Sequence, residues 1–125
     1  MNTDKKAWES VTEWIIGAAM EVQCVLGVGF LEKVYEKALF AELRKQGLEV
    51  KAQVEMPVFY KGKNVGIYVA DLLVDNTILV ELKCAKGLGS EHLAQCLNYL
   101  KASNLDICLL MNFGTTRLQW KRIVN

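Results

Sequence analysis

Two carboxylates and an ammonium stand at spacings that suit phosphate chemistry. Asp71 interrupts the apolar run Tyr68-Val69-Ala70-Asp71-Leu72-Leu73-Val74, and Glu81 and Lys83 close the run Ile78-Leu79-Val80-Glu81-Leu82-Lys83. Residues two apart on a strand share a face, so Glu81 and Lys83 project together. If the two runs pair as a hairpin, Asp71 lies beside them, within reach of a cross-strand neighbour. Unpaired charge is costly to bury, so such a cluster calls for compensation. A hard cation such as Mg²⁺ supplies it, because it binds carboxylate oxygens and keeps open positions for water and phosphate oxygens. Lys83 would then orient water or stabilise charge in the transition state. An ion pair at a sheet edge explains the same three residues without chemistry.

These residues need elements to hold them. Val11, Trp14, Ile15, Ala18, Ala19, Val22, Val25 and Leu26 recur at helical spacing, with Ser10 placed as an N-cap and Glu13 as its capping-box partner. After a break at Gly27 and Gly29, Leu31, Val34, Tyr35, Ala38, Leu39 and Leu43 predict a second helix, which Gly47 would end. The period then falls to two, and Leu48 to Val58 predicts a strand with one buried face. Lys61-Gly62-Lys63-Asn64 is a turn, Val65 to Val74 a second strand, Asp75-Asn76 a reversal and Ile78 to Lys83 a third strand. Ser90 would cap a helix reaching about Ala102, with the stripe Leu93, Leu97 and Leu100. Asp106 to Phe113 is nearly all apolar, the mark of a central strand covered on both faces, and Leu118 to Val124 closes the chain as a strand. The expected order is α-α-β-β-β-α-β-β in one α/β domain over residues 1–125.

Composition narrows the field. Fifteen basic and fourteen acidic residues leave a net charge of +1, so no global positive field marks a nucleic-acid binder. Lys61, Lys63, Lys86, Lys101, Arg117, Lys121 and Arg122, with Trp120 as a stacking surface, would provide phosphate contacts or simply solvate the surface. Cys24, Cys84, Cys96 and Cys108 form no C-x-x-C pair, and one histidine cannot complete a His-rich zinc site. They are expected as reduced thiols in the core. The apolar stretch behind Lys5 and Lys6 is broken by Glu21 and Gln23, unlike a signal peptide, and no run approaches a membrane span. A soluble cytoplasmic protein is expected.

Gly29-Phe30-Leu31-Glu32-Lys33-Val34-Tyr35 matches the G-x-x-E-x-x-Y signature of a group of small bacterial proteins. The stretches 70–74, 80–83, 95–101 and 110–114 resemble that group's other blocks, in the same order. The GxxExxY group is placed in the PD-(D/E)XK nuclease-like superfamily. The resemblance implies a restriction-endonuclease-like core around a mixed central sheet. It also implies Asp71 and Glu81 as direct metal ligands, Glu32 as an outer acidic residue reaching the metal through water, and Lys83 as the catalytic lysine. Gln95 and Tyr99, four apart on one helical face, resemble the Q-x-x-x-Y element with which recombination-type nucleases of this superfamily bind DNA. The strand before Asp71 lacks the superfamily's proline, and Gln23 stands near where the group often has a histidine. His92 either lines the site mouth or faces solvent.

Two functions from different classes follow. One is a Mg²⁺-dependent nuclease, with Mn²⁺ as a substitute, acting on DNA rather than RNA and working as a homodimer. The other is a non-catalytic module that binds nucleic acid or protein and keeps only the fold.

Overall fold

The computed structural model describes residues 3–125, with side chains from Glu9 onward, so those of Lys5 and Lys6 lie outside the described ones. The elements are α1 (Thr3–Leu26), α2 (Glu32–Lys45), β1 (Val50–Tyr60), β2 (Lys63–Val74), β3 (Ile78–Lys83), α3 (Ser90–Ser103), β4 (Ile107–Asn112) and β5 (Gln119–Val124). This is the order the sequence predicts. The strands form one mixed sheet in the order β1-β2-β3-β4-β5. Neighbours are antiparallel except β3 and β4, which run parallel and are joined through α3. A parallel pair needs a crossover of this kind.

The sheet is covered on both faces. Ile15, Ala19, Tyr35 and Leu39 of α1 and α2 pack with Leu72, Val80, Leu109 and Phe113 on one side. Cys96, Tyr99 and Leu100 of α3 pack with Met56, Leu79, Cys108 and Leu110 on the other. Every residue of β4 is buried, as a central strand with helices on both faces requires. Both tight turns also follow from their residues. Lys61 and Gly62 form the two-residue turn between Tyr60 and Lys63, and Asp75 and Asn76 lie in the three-residue connection between Val74 and Ile78; all four have positive φ, which matches strand twist.

Several local expectations are corrected. α1 begins at Thr3, so Ser10 is an exposed residue within the helix and not its cap; Thr12, also within the helix, donates to the Glu9 carbonyl at 2.7 Å. The buried stripe of α1 takes Ile16 in place of Trp14 and Val25, which are exposed. On α2, Leu31 and Val34 are exposed and Tyr35, Glu36, Leu39 and Leu43 are buried. The Gly47 amide donates to the Arg44 carbonyl and the Leu48 amide to the Leu43 carbonyl, the paired bonds of a Schellman ending. α3 is capped at Gly89, with Ser90 already inside, and its buried residues are Cys96, Tyr99 and Leu100 rather than a leucine stripe. His92 completes that cap, its Nδ1 accepting the Gly89 amide at 3.0 Å. Ala52, expected on the buried face of β1, is exposed. Of the cysteines, Cys96 and Cys108 are core residues, whereas Cys24 and Cys84 are exposed. Among the described residues no helix is long and apolar enough to cross a membrane.

Candidate active site

β2 and β3 pair from Val74 and Ile78 to Leu72 and Val80, and then the ladder stops. The same register, carried one step further, sets Asp71 against Glu81. Here side chains replace the ladder. The Asp71 amide donates to Glu81 Oε1 at 2.8 Å, and the Leu82 amide donates to Asp71 Oδ2 at 2.9 Å. Each carboxylate satisfies a backbone donor that the parting strands would otherwise leave orphaned. The two acids are thereby fixed side by side where the sheet opens, and Lys83 ends β3 two residues beyond Glu81.

The electrostatics of the pair follow from its burial. Glu81 is only 2% exposed. Burial, and then the charge of Asp71, push its pKa up to about 8, against the pull of the Asp71 amide and of Lys83. Asp71 is raised to about 6, chiefly by burial, against the Leu82 amide; the carboxylates of Glu36 and Glu32 and a hydrogen bond with Glu36 add to the rise. Two acids held this way cannot both ionise cheaply unless a cation joins them.

The other expected residues gather around this pair at different ranges. Tyr99 of α3 is 7% exposed, and its hydroxyl accepts from Gln95 Nε2 at 3.0 Å. Burial, with Glu81 and Asp71 next in weight, pushes its phenol well above the usual range. Glu32, at the start of α2, is exposed; it touches the site by its charge, felt at Asp71 and at Cys84.

The buried helix carboxylate is instead Glu36, one turn further along α2 and 5% exposed. Gln53 Nε2 donates to both its oxygens, at 2.9 and 3.1 Å, and Lys33 Nζ lies 3.3 Å away. The β1–β2 register sets Gln53 opposite Asp71, and Gln53 has φ +55 inside a strand. Backbone strain in a non-glycine residue persists where surrounding contacts hold it, often at functional sites. Sequence reasoning missed this residue, because no local signal marks a left-handed glutamine. Glu36 was legible in principle, standing four residues after Glu32 on the same helical face.

Two framing contacts explain the motif residues that carry no charge. The Tyr35 hydroxyl donates to the Gly27 carbonyl at 2.6 Å and accepts the Phe30 amide at 3.3 Å, while its ring stacks on Phe113 at 4.8 Å. The loop it pins contains Gly29 at φ +108, where a side chain would be strained. Thus the tyrosine of the signature orients the segment that delivers Glu32. At the other end of the site, the Asn112 side chain binds Ala85 like a short piece of strand, accepting its amide at 2.9 Å and donating to its carbonyl at 3.0 Å. The Phe113 amide donates to the Lys83 carbonyl at 2.8 Å. Gly114 packs so closely that an added Cβ would collide with the backbone of Ala85. Gln23 serves elsewhere, its amide donating to the Thr115 carbonyl at 2.8 Å.

The donor set fits Mg²⁺. Among the described residues no three His, Cys, Asp or Glu side chains gather into a ready-made cage. Mg²⁺ does not require one, being held commonly by one or two carboxylates with waters and substrate phosphates completing its shell. Asp71 and Glu81 would hold such an ion, with Glu32 reaching it through water.

A family model described as the PD-(D/E)XK nuclease superfamily matches residues 9–123. The chain belongs to this superfamily. Its fold is similar to that of the protein SSO0001, seen in a crystal structure, with a TM-score of 0.58 and 16% identity over 92% of this chain and 77% of that one. It is also similar to an alkaline exonuclease (LHK-Exo) from Laribacter hongkongensis, with a TM-score of 0.51 and 14% identity over 91% of this chain and 82% of that one. No curated protein sequence matches the chain.

Proposed function

We propose that residues 1–125 act as one cytoplasmic nuclease domain that hydrolyses phosphodiester bonds in DNA, in preference to RNA, with Mg²⁺ or substitute Mn²⁺ at Asp71 and Glu81. One observation carries this. Where β2 and β3 part, the buried Glu81 and half-buried Asp71 carboxylates hold each other's strands and both have pKa values raised, to about 8 and about 6. A structural ion pair would lower the pKa of a carboxylate. Here the pair is set for a cation that displaces its protons.

When bound, the ion supplies Lewis-acid polarisation of a phosphoryl oxygen and a water of lowered pKa. The chain's own residues do the rest. Lys83, whose charge already pulls on Glu81, faces the same space and stabilises negative charge developing on the phosphoryl group. The Leu82 and Asp71 amides fix the carboxylates so that no reorganisation is needed as charge moves. Gln95 and Tyr99 hold the nucleic-acid strand at the α3 side, and Glu32 draws water to the outer side. A homodimer, which would carry two such sites, belongs to the proposal.

The test couples calorimetry to cleavage. Mg²⁺ or Mn²⁺ binding in the millimolar range that Asp71→Ala removes, with metal-dependent DNA cleavage that Lys83→Ala abolishes, is the expected result. The near-balance of charge favours a second reading, a binding module without turnover. It stands if DNA is bound and never cut.

A further inference from the structure

We propose that the groove between the β1–β2 hairpin and α3 seats an unpaired nucleotide, so that the polynucleotide meeting the acidic site is single-stranded there. This rests on the nuclease proposal and names its substrate class. The hairpin reaches beyond the rest of the sheet, since β2 pairs with β3 only over Leu72, Leu73 and Val74. Beneath it lies a cavity of about 390 Å³ lined by Val58, Phe59, Tyr68, Asn98 and Lys101. That volume is in the range of small-ligand sites, roughly 300–1,000 Å³.

The lining is chemically specific. Phe59 is 62% and Tyr68 41% exposed, and a solvent-facing aromatic face takes a base of any identity by stacking. Asn98 offers a donor and an acceptor to a base edge. Lys101, also exposed, offers a cation to a phosphate, and Lys61 and Lys63 sit at the hairpin turn nearby in sequence. A duplex keeps its base faces buried against each other and would leave both rings in water. An apolar peptide would leave Asn98 and Lys101 without partners.

The groove is also connected to the acids. The Tyr68 ring lies against the Tyr99 ring, with centroids 5.3 Å apart and planes at 57°. Tyr99 in turn stands in the field of Glu81 and Asp71. Tyr68 precedes Asp71 by three residues, about 10 Å along a strand. A chain stacked on Phe59 and Tyr68 therefore has a direct path to the site. By contrast, Trp120, the stacking surface suggested by sequence, has Arg122 over its ring at 5.8 Å.

Fluorescence anisotropy in EDTA tests this, with labelled oligothymidylate, a blunt DNA duplex and oligouridylate as probes. Single strands are expected to bind at least tenfold more tightly than the duplex. Phe59→Ala should weaken single-strand binding about tenfold while changing duplex binding less than twofold. Lys101→Ala should reduce the salt slope of single-strand binding by about 0.7. Oligothymidylate and oligouridylate differ only in the base C5 methyl and the sugar 2′-hydroxyl, and their ratio separates DNA from RNA as the source. No detectable single-strand binding, duplex binding as tight, or an unchanged Phe59→Ala variant overturns the proposal. Single-strand binding of this pattern without Mg²⁺-dependent cleavage would sink the nuclease proposal alone. Cleavage of duplex by wild type and Phe59→Ala alike would sink this one alone.

Discussion

Asp71 and Glu81 each hold the strand that carries the other: the Asp71 amide donates to Glu81, and the Asp71 carboxylate accepts the amide that follows Glu81. The bonds that would otherwise close a β-ladder here are made by the two acids themselves. A stop in the hairpin ladder thus becomes a pair of aligned carboxylates, Glu81 buried and Asp71 half-buried.

The first consequence is a stability that falls as pH rises. Both acids have folded-state pKa values above their ordinary ones, so the folded protein holds more protons than the unfolded chain. The metal-free protein should be most stable below about pH 4 with respect to these groups, and should lose that contribution as pH passes about 6 and then about 8. Glu81→Gln keeps an acceptor for the Asp71 amide but removes the charge. At pH 9 it should be more stable than wild type by on the order of 2 kcal/mol, as measured by urea unfolding in EDTA. Equal stability at pH 5 and pH 9 in wild type would contradict this.

Glu36 sets part of the Asp71 shift. Its negative charge and its hydrogen bond both favour the protonated Asp71. Glu36→Gln should therefore move the pH midpoint of divalent-metal binding to lower values, read by calorimetry at a series of pH values. An unmoved or raised midpoint would remove Glu36 from the site.

Much of this was legible in advance, for identifiable reasons. The two apolar runs 68–74 and 78–83, with a turn between, sufficed to bring Asp71 and Glu81 together, with Lys83 two residues beyond Glu81 on β3. The long apolar run from Asp106 to Phe113 sufficed to place β4 inside the sheet, between β3 and β5. What was not legible depends on contacts distant in sequence. Gln53 takes its role from Glu36 and from its place opposite Asp71, and nothing in Ala52-Gln53-Val54 encodes a left-handed residue. Asn112 is part of an apolar strand in sequence, and only the approach of Ala85 turns its amide into a clamp. The exposed residues Trp14 and Val25 of α1, and Leu31 and Val34 at the start of α2, misled for a related reason. Periodicity states which residues could be buried, and only the sheet's extent decides which are.

The Tyr35 hydroxyl should contribute beyond the packing of its ring. Tyr35→Phe leaves the stacking on Phe113 but orphans the Gly27 carbonyl and the Phe30 amide. A loss of about 1–2 kcal/mol is expected on denaturant unfolding. Cleavage should fall with it, because the loop ahead of Glu32 is no longer held. Unchanged stability would show that water replaces the hydroxyl freely.

Asn112 and Gly114 should be among the least replaceable residues outside the acidic pair. Asn112→Ala strips the Ala85 amide and carbonyl of their partners, at a cost of roughly 2–4 kcal/mol. Gly114→Ala drives a methyl group into the Ala85 backbone, so it should destabilise at least as much. Thermal unfolding of both variants checks this, and a shift within error for either would contradict the clamp.

The central claim is that Asp71 and Glu81 are ligands of one ion, and a crystal structure of the protein soaked in Mn²⁺, phased on the metal's anomalous signal, tests it most directly. The expected map has a peak bridged by carboxylate oxygens of both residues at about 2.0–2.3 Å, with Lys83 facing the same space. A map with no peak between them, or with Mn²⁺ bound only at other carboxylates, would contradict the account.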